Sequence, residues 1–288
     1  MASLYALLAA VLYGAADFLG GIATRRATMI GTVLVTQGAG LVFLLLVTPL
    51  LPDAQLTRHD VLFGVLAGVT GSVGVALLYL ALAIGPMSVV APITAVCAAI
   101  VPLGIGLLLG ERPHPVAGIG VALALVAVGL LSQADTPVAT PGSAPAAPPA
   151  RLGRGVRVAL ASGVAVGGFF AALAQTSSSA VLWPLAISRS VSVTMFLATA
   201  AVSGRPAGVP RAALGPALGC GALDMLANAL YLAAARQGQL GLVATLASLY
   251  PASTVLLARL VLGERLGAWQ QVGVGGAVAA ILLIVRNS

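Results

Sequence analysis

Apolar runs of about 20 residues, the length of a helix that crosses the hydrocarbon core of a bilayer, recur ten times along this chain. They cover residues 2–23, 29–51, 61–84, 87–109, 115–131, 156–175, 180–202, 212–235, 238–261 and 267–286. Several breaks leave room only for a tight turn, as at Gly85-Pro86, so those neighbours are antiparallel hairpins. The pattern predicts an all-α integral membrane protein with ten transmembrane helices, because lipid cannot satisfy a backbone N–H or C=O left outside a helix. Composition agrees: 60% of the 288 residues are hydrophobic and 7% are charged, where a soluble domain carries about 25% charge. A disordered chain and a soluble enzyme core are both excluded. The run from Ala2 to Ala23 lacks a basic leader and reads as a retained first helix rather than a cleaved signal.

The formal charge of +7 and a pI near 10.4 invite a nucleic-acid reading. All fourteen basic residues are arginine, however, and they are scattered singly or in pairs between apolar runs. They read as loop charges at the headgroup level, with membrane lipid and not nucleic acid as the partner. Cys97 and Cys220 both fall inside apolar runs, where a thiol behaves as a small hydrophobe. No disulfide, metal site or cofactor is expected.

One long connector interrupts the series. Residues 132–155 are rich in Pro, Ala, Ser and Thr, cannot bury a core, and read as a flexible linker. It separates two halves, 1–131 and 156–288, that resemble each other. ALLYLALAIGPMSVVAPIT at 76–94 aligns with NALYLAAARQGQLGLVATLA at 228–247 across a one-residue gap, and LLLGERP at 107–113 aligns with LVLGERL at 260–266. At a constant offset Phe18 pairs with Phe170 and Gln37 with Arg189. Five helices per copy is an odd number, so the second copy enters the membrane from the opposite face. Two inverted five-helix repeats enclosing a midplane site are a transporter signature, since exchange of their roles opens the site to either side.

ADFLGGIATRR on the first span, GPMSVVAPI opening the fourth, LGERP after it and LYPASTVLLARLVLGERL in the second copy together resemble EamA-type transporters of the drug/metabolite transporter superfamily. The resemblance covers the chain apart from the linker. It implies a ten-helix carrier of the bacterial inner membrane that exports amino acids, metabolites or drugs by alternating access. One departure stands out. Related four-helix multidrug exporters carry a membrane-embedded glutamate on the first helix that exchanges protons for drug; here that helix carries Asp17, and the aligned position in the second copy is Phe169.

Ionisable side chains at bilayer depth cost about 2.5–3.5 kcal/mol each on insertion scales, so Asp17, Arg189 and Asp224 each need an explanation. Arg259 falls in the last turn of the ninth span, where its side chain can snorkel to the interface. Arg189 and Asp224 should agree in depth within about one helical turn on the seventh and eighth spans. Two readings stand for Arg189. In one it forms a buried ion pair with Asp224 that only fixes the helices; in the other it faces the cavity and takes a carboxylate or phosphate while Asp224 orients it. For Asp17 the alternatives are a carboxyl that couples transport to protons, or one hydrated near the interface or held by Arg25 or Arg26. Gln37, the repeat counterpart of Arg189, and Asn228, one turn beyond Asp224, complete the candidates for binding or coupling.

Pro92 and Pro102 are expected to interrupt the fourth helix and Pro251 the ninth, as paired gates or as static kinks. Gly64/Gly68, Gly163/Gly167 and Gly215/Gly219 have the spacing of close-packing faces. Tyr13, Tyr79, Trp183 and Tyr231 divide between cavity walls and interface anchors, with Tyr79 and Tyr231 read as structural and Trp183 as a belt residue. Glu111, Arg112, Glu264 and Arg265 lie where helices leave the bilayer, so their charges are read as hydrated and architectural.

Orientation is read in two ways. Arg25, Arg26, Arg151, Arg154, Arg157, Arg205, Arg211, Arg259 and Arg265 share the side opposite the termini, which the positive-inside rule makes cytoplasmic; the family resemblance implies termini inside. Three function classes follow. A secondary transporter of small molecules leads, since no phosphate-binding Gly-x-x-x-x-Gly-Lys loop offers ATP a site. The alternative is a membrane enzyme or flippase acting on lipid-linked substrates, but His59 and His114 fall in loops without acids or cysteines beside them. A non-transporting scaffold would need no intramembrane charge.

Overall fold

The computed structural model describes residues 1–51, 54–84, 87–131, 149–204, 208–262 and 267–287. These form helices and turns only: α1 (Ala2–Thr24), α2 (Met29–Val47), α3 (Arg58–Ile84), α4 (Met87–Leu108), α5 (Pro115–Leu131), α6 (Pro149–Ala174), α7 (Trp183–Ser203), α8 (Arg211–Ala235), α9 (Leu240–Ala247), α10 (Tyr250–Leu262) and α11 (Ala268–Arg286). The ninth membrane helix is therefore two pieces, α9 and α10, and the other nine helices are single. Eight spans have full crossing length and apolarity, and α4 and α5 supply the two shorter apolar helices. Gly85-Pro86, residues 132–148 of the linker, Arg205, Glu264 and Arg265 lie outside the described residues, as do the side chains of Tyr79, Pro92 and Arg151.

Two boundaries differ from the sequence reading. The helix read as starting at 156 begins at Pro149, inside the segment read as linker; proline suits a first helical turn, where its missing N–H has no partner to lose. The helix read as continuous from 238 to 261 breaks at Ser248 and Leu249, just before Pro251. Pro251 thus occupies the first turn of α10. By contrast α4 runs unbroken through Pro92 and Pro102, so the expected interruption there is absent. Pro102 releases the carbonyl of Ala98, and the glycine backbone at Gly167 of α6 packs directly onto that carbonyl, 3.1 Å from an added Cβ.

Helix ends are fixed by local chemistry. Thr28 Oγ1 accepts a hydrogen bond from the Gly31 N–H at 3.3 Å and caps α2. Thr57 and Asp60 cap α3 reciprocally: the Asp60 N–H donates to Thr57 Oγ1 at 3.2 Å and the Thr57 N–H to Asp60 Oδ2 at 3.0 Å. At the end of α4, Gly110 takes a left-handed φ of +91°. Its N–H donates to the Leu107 carbonyl at 3.1 Å and the Glu111 N–H donates to that of Gly106 at 2.9 Å, the paired bonds of a Schellman ending.

The helix contacts reveal the symmetry. α3 packs on α6 and α7, and α1 and α2 both pack on α8; α4 packs on α6, and α1 on α9 and α10. Exchanging each helix with its counterpart in the other half maps this set of contacts onto itself. Direction completes the argument. On α5 and α11, Gly120 meets Leu283 and Ile284, Gly276 meets Ala127, and Gly273 meets Leu130 and Leu131, so these counterparts run antiparallel. On α3 and α7, Gly64 meets Ile187 and Gly68 meets Val191, so that pair runs parallel. Both relations require the second copy to be upside down relative to the first. Of the paired glycines, Gly64, Gly68, Gly163 and Gly167 are seams between helices, while Gly215 faces open space. Large apolar side chains such as Leu46, Leu62 and Leu108 remain exposed on the outer faces, as expected where lipid is the solvent.

Candidate functional site

Between the two copies lies a cavity of about 310 Å³. All five candidates for binding or coupling reach its wall: Asp17 from α1, Gln37 from α2, Arg189 from α7, and Asp224 and Asn228 from α8. At about 1.5 Å of rise per residue, Gln37 and Asp224 lie near mid-membrane, Arg189 and Asn228 about one turn closer to the terminal face, and Asp17 about one turn from the middle toward the opposite face. Pro102 and Pro251 are not among the described lining residues.

Arg189 Nη2 donates to Asp224 Oδ2 at 2.9 Å. The arginine side chain is 11% exposed and the aspartate 33%, so the pair sits on the cavity surface rather than in a sealed core. α7 and α8 scarcely touch; each packs on α2. The ion pair therefore spans the hollow between them. Asn228 Nδ2 donates to the Asp224 carbonyl at 2.7 Å, which aims its Oδ1 away, and that atom has no partner. Gln37 Oε1 and the Tyr13 hydroxyl are likewise buried and unpartnered.

Asp17 is exposed to the cavity. Of the alternatives read for Asp17, a hold by Arg25 or Arg26 is not met: no described cation lies within ion-pair distance of it, and Arg26 donates instead to the Ala212 carbonyl at 3.3 Å. The reason is reach. Asp17 is two turns inside the helix end that carries both arginines.

An aromatic cluster floors the cavity toward the terminal face. Tyr13 stacks edge-on to Phe170 with ring centres 6.0 Å apart, Phe170 lies 4.7 Å from Tyr231, and Tyr250 lies 6.4 Å from Tyr13. Tyr231 is fully buried and donates to the Phe170 carbonyl at 3.4 Å, so the residue read as structural also closes the site. Trp183 is exposed at the start of α7.

Beyond this floor, three ties join helices at the terminal face, and sequence reasoning missed them. Glu111 turns inward, contrary to its reading as a hydrated charge, and accepts the N–H groups of Leu240 and Gly241 at the start of α9. A carboxylate there meets unsatisfied donors and the positive end of the helix dipole. Gly106 makes this fold-back possible, because a Cβ would collide with the Glu111 carboxylate. Asp60 is fully buried and also accepts the Ser177 N–H at 2.7 Å. Arg236 donates to the Val181 carbonyl at 3.0 Å, and burial holds its pKa below the ordinary arginine value. Thr57-x-x-Asp60 was a readable capping signature; the Glu111 contact depends on which helix end lies opposite and had no local signal. The sequence reading also missed Ser72, Ser188 and Ser192 on the cavity wall.

Both cysteines are free, and no cluster of metal-binding side chains occurs among the described residues. Two inverted five-helix copies around a charged, aromatic-floored hollow have the architecture of a membrane transporter. The chain belongs to the EamA-like transporter family, whose family model matches residues 1–133 and 153–286. A solved crystal structure that covers 100% of this chain and 99% of its own has a TM-score of 0.77 at 16% identity, a likeness of fold. No curated protein sequence matches the chain significantly.

Proposed function

We propose that this transporter is a secondary carrier of the bacterial plasma membrane that exports a small solute by alternating access, with one midplane site between the repeats. The observation that supports this most is the Arg189–Asp224 pair bridging two helices that do not otherwise pack. An ion pair that only stiffened the bundle would sit within a helix seam; this one sits where a solute would pass. Domain boundaries follow the repeats, with 1–131 and 156–288 rocking against each other around the site. The terminal face is closed by the aromatic floor and the three ties, while Asp17 and Asp224 remain open to solvent in the cavity, so the described state faces away from the termini. Access to the terminal face requires those ties to part, and the broken α9/α10 helix, entering its second piece at Pro251, is the natural hinge. Pro92 and Pro102 on α4 would serve as its weaker counterpart.

Asp17 is the group we assign to proton coupling. A carboxyl with no cation beside it can hold a proton in one state and release it in the other, drawing on about 2.3 kcal/mol per charge per 100 mV. In reconstituted vesicles the expected result is saturable solute movement without chemical change, lost in Arg189→Gln, with uphill movement stopped when the pH gradient is collapsed. Full transport by a folded Arg189→Gln protein would overturn the site, and uphill export indifferent to the gradient would remove the proton.

A further inference from the structure

Among the described residues, Val181 is the only one other than glycine with a positive φ: it sits at φ +50° and ψ −113° in the connection from α6 to α7. Leu182 follows at φ −103° and ψ 0°, so the two fill the centre of a type II′ turn, whose first central position is usually glycine's. A β-branched residue is strained there, and such strain persists only where the surroundings over-determine the chain. They do so here. Upstream, the Ser177 N–H donates to Asp60 Oδ1 at 2.7 Å, the Gln55 N–H donates to the Ser179 carbonyl at 3.0 Å, and Ala180 is fully buried. Downstream, α7 starts at Trp183. Between these anchors the carbonyl of Val181 itself accepts Arg236 Nη1 at 3.0 Å. That grip is imperfect on the arginine's side too, since Nη2 reaches Thr176 Oγ1 only at 3.4 Å and the buried Nε has no partner. A strained turn and an under-satisfied guanidinium therefore meet at one contact, and both costs vanish when it parts.

We infer, resting on the alternating-access reading above, that this contact is a loaded catch: Arg236, at the end of α8, holds the turn before α7 under strain while the terminal face is closed, and the strain is returned when the face opens. The bond outweighs the strain, since the turn would otherwise relax with the face still closed. Arg236 thus favours the closed state and Val181 the open one. α7 and α8 scarcely pack on each other, so little else resists their separation at this end. Neither residue is among the described residues that line the cavity; the pair sets the balance between the two states without touching the solute.

The test labels the purified full chain with a membrane-impermeant maleimide and reads each face separately. Thr245→Cys, buried beyond the floor, reports the terminal face in a chain that also carries Cys97→Ala and Cys220→Ala; native Cys220, on the cavity wall, reports the opposite opening in a chain with Cys97→Ala. Val181→Gly should slow labelling of Thr245→Cys about tenfold relative to Val181→Ala, within the usual cost of a strained residue, because alanine keeps the Cβ that strains the turn. Arg236→Gln, too short to reach the turn, should speed that labelling by a similar factor and slow labelling of Cys220. Added to Arg236→Gln, Val181→Gly should change nothing, since no strain is then held. Equal labelling in Val181→Gly and Val181→Ala, faster labelling in Val181→Gly, a glycine effect of the same size with and without Arg236, or no effect of Arg236→Gln would each overturn the catch. If Arg236→Gln does not fold, the glycine and alanine comparison decides. Reciprocal changes at the two reporters in Glu111→Gln, with none in the Val181 and Arg236 variants, would overturn the catch and leave alternating access intact. The expected changes at Thr245→Cys with Cys220 unmoved would uphold the catch and defeat alternating access.

Discussion

The two halves of the chain share a frame and differ in what they hang on it. Arg189 and Asp224 in the second copy correspond to Gln37 and Ser72 in the first; Asp17 in the first corresponds to Phe169 in the second. All six side chains reach the same cavity. Yet the seams that place them match from copy to copy: α4 lies on α6 as the ninth helix lies on α1, and α3 on α7 as α8 on α2. The alternating access proposed above would need interchangeable packing, and seams held in common would supply it. Recognition of a solute without two-fold symmetry needs unlike walls, and the charges supply them.

The sharpest way to break this contrast is to give the second copy the residues of the first. Asp224→Ser alone leaves Arg189 charged and uncompensated at bilayer depth, and we expect a loss of about 3 kcal/mol, the lower end for breaking a buried pair, because the cavity hydrates it. Arg189→Gln with Asp224→Ser removes both charges and should recover most of that stability. Thermal unfolding in detergent measures the difference, and solute flux should be lost in both proteins. A double variant as unstable as the single one would show that the pair is part of the frame after all.

The frame itself is tested at two close approaches. An added Cβ at Gly14 would meet the Tyr250 carbonyl at 2.7 Å, and one at Gly163 would meet the Thr94 carbonyl at 2.7 Å. These are backbone atoms in the corresponding α1–α10 and α6–α4 seams, and they cannot rotate away. Gly14→Ala and Gly163→Ala should each destabilise by about 1–3 kcal/mol, as overpacking does, and by similar amounts. Unequal losses read from the same unfolding assay would mean that the two seams are not interchangeable.

The frame was legible in the sequence because its determinants are regional. Bilayer thickness sets the length of an apolar run, and the odd number of runs per copy sets the inversion, so no long-range contact had to be foreseen. The charged pair was legible too, because an arginine and an aspartate within about one turn of the same depth in lipid have few places to go. What stayed hidden depended on a side chain's direction. For Asp17 the sequence left open whether it turned to the arginines next to it or into the hollow, and α1 turns it into the hollow. Glu111 was read as facing water because its segment leaves the membrane, whereas Gly106 and the left-handed Gly110 fold it back onto α9. Pro102 was read as a break because proline lacks a donor, but its freed carbonyl packs against Gly167 and the helix continues.

Glu111 gives a smaller test, and one confined to the terminal face. Its carboxylate accepts two backbone donors at the start of α9. Glu111→Gln keeps the shape and one acceptor but loses the charge, for an expected loss of about 0.3–1 kcal/mol, the usual range for a charge at a helix end. If the ties close this face, the variant should also admit a membrane-impermeant thiol reagent to a cysteine placed at Thr245, which is fully buried beyond the floor. Unchanged protection there would mean that the aromatic cluster closes the face unaided.

The smallest effect is expected at Ser72, and its smallness is informative. Its hydroxyl donates to the Gly68 carbonyl of its own helix at 2.7 Å, a back-bond that lends a helix little stability. Ser72→Ala should therefore change the unfolding temperature by no more than about 0.5 kcal/mol would, the usual range where no special feature is removed. Asp224→Ser acts at the corresponding position of the other copy and should cost several times more. The ratio of the two losses measures how far one cavity wall has departed from the other while the helices carrying them kept the same packing. A large loss at Ser72 would mean that its wall also holds a polar network, and the division into a shared frame and unlike walls would fail at the position where the two copies are most directly compared.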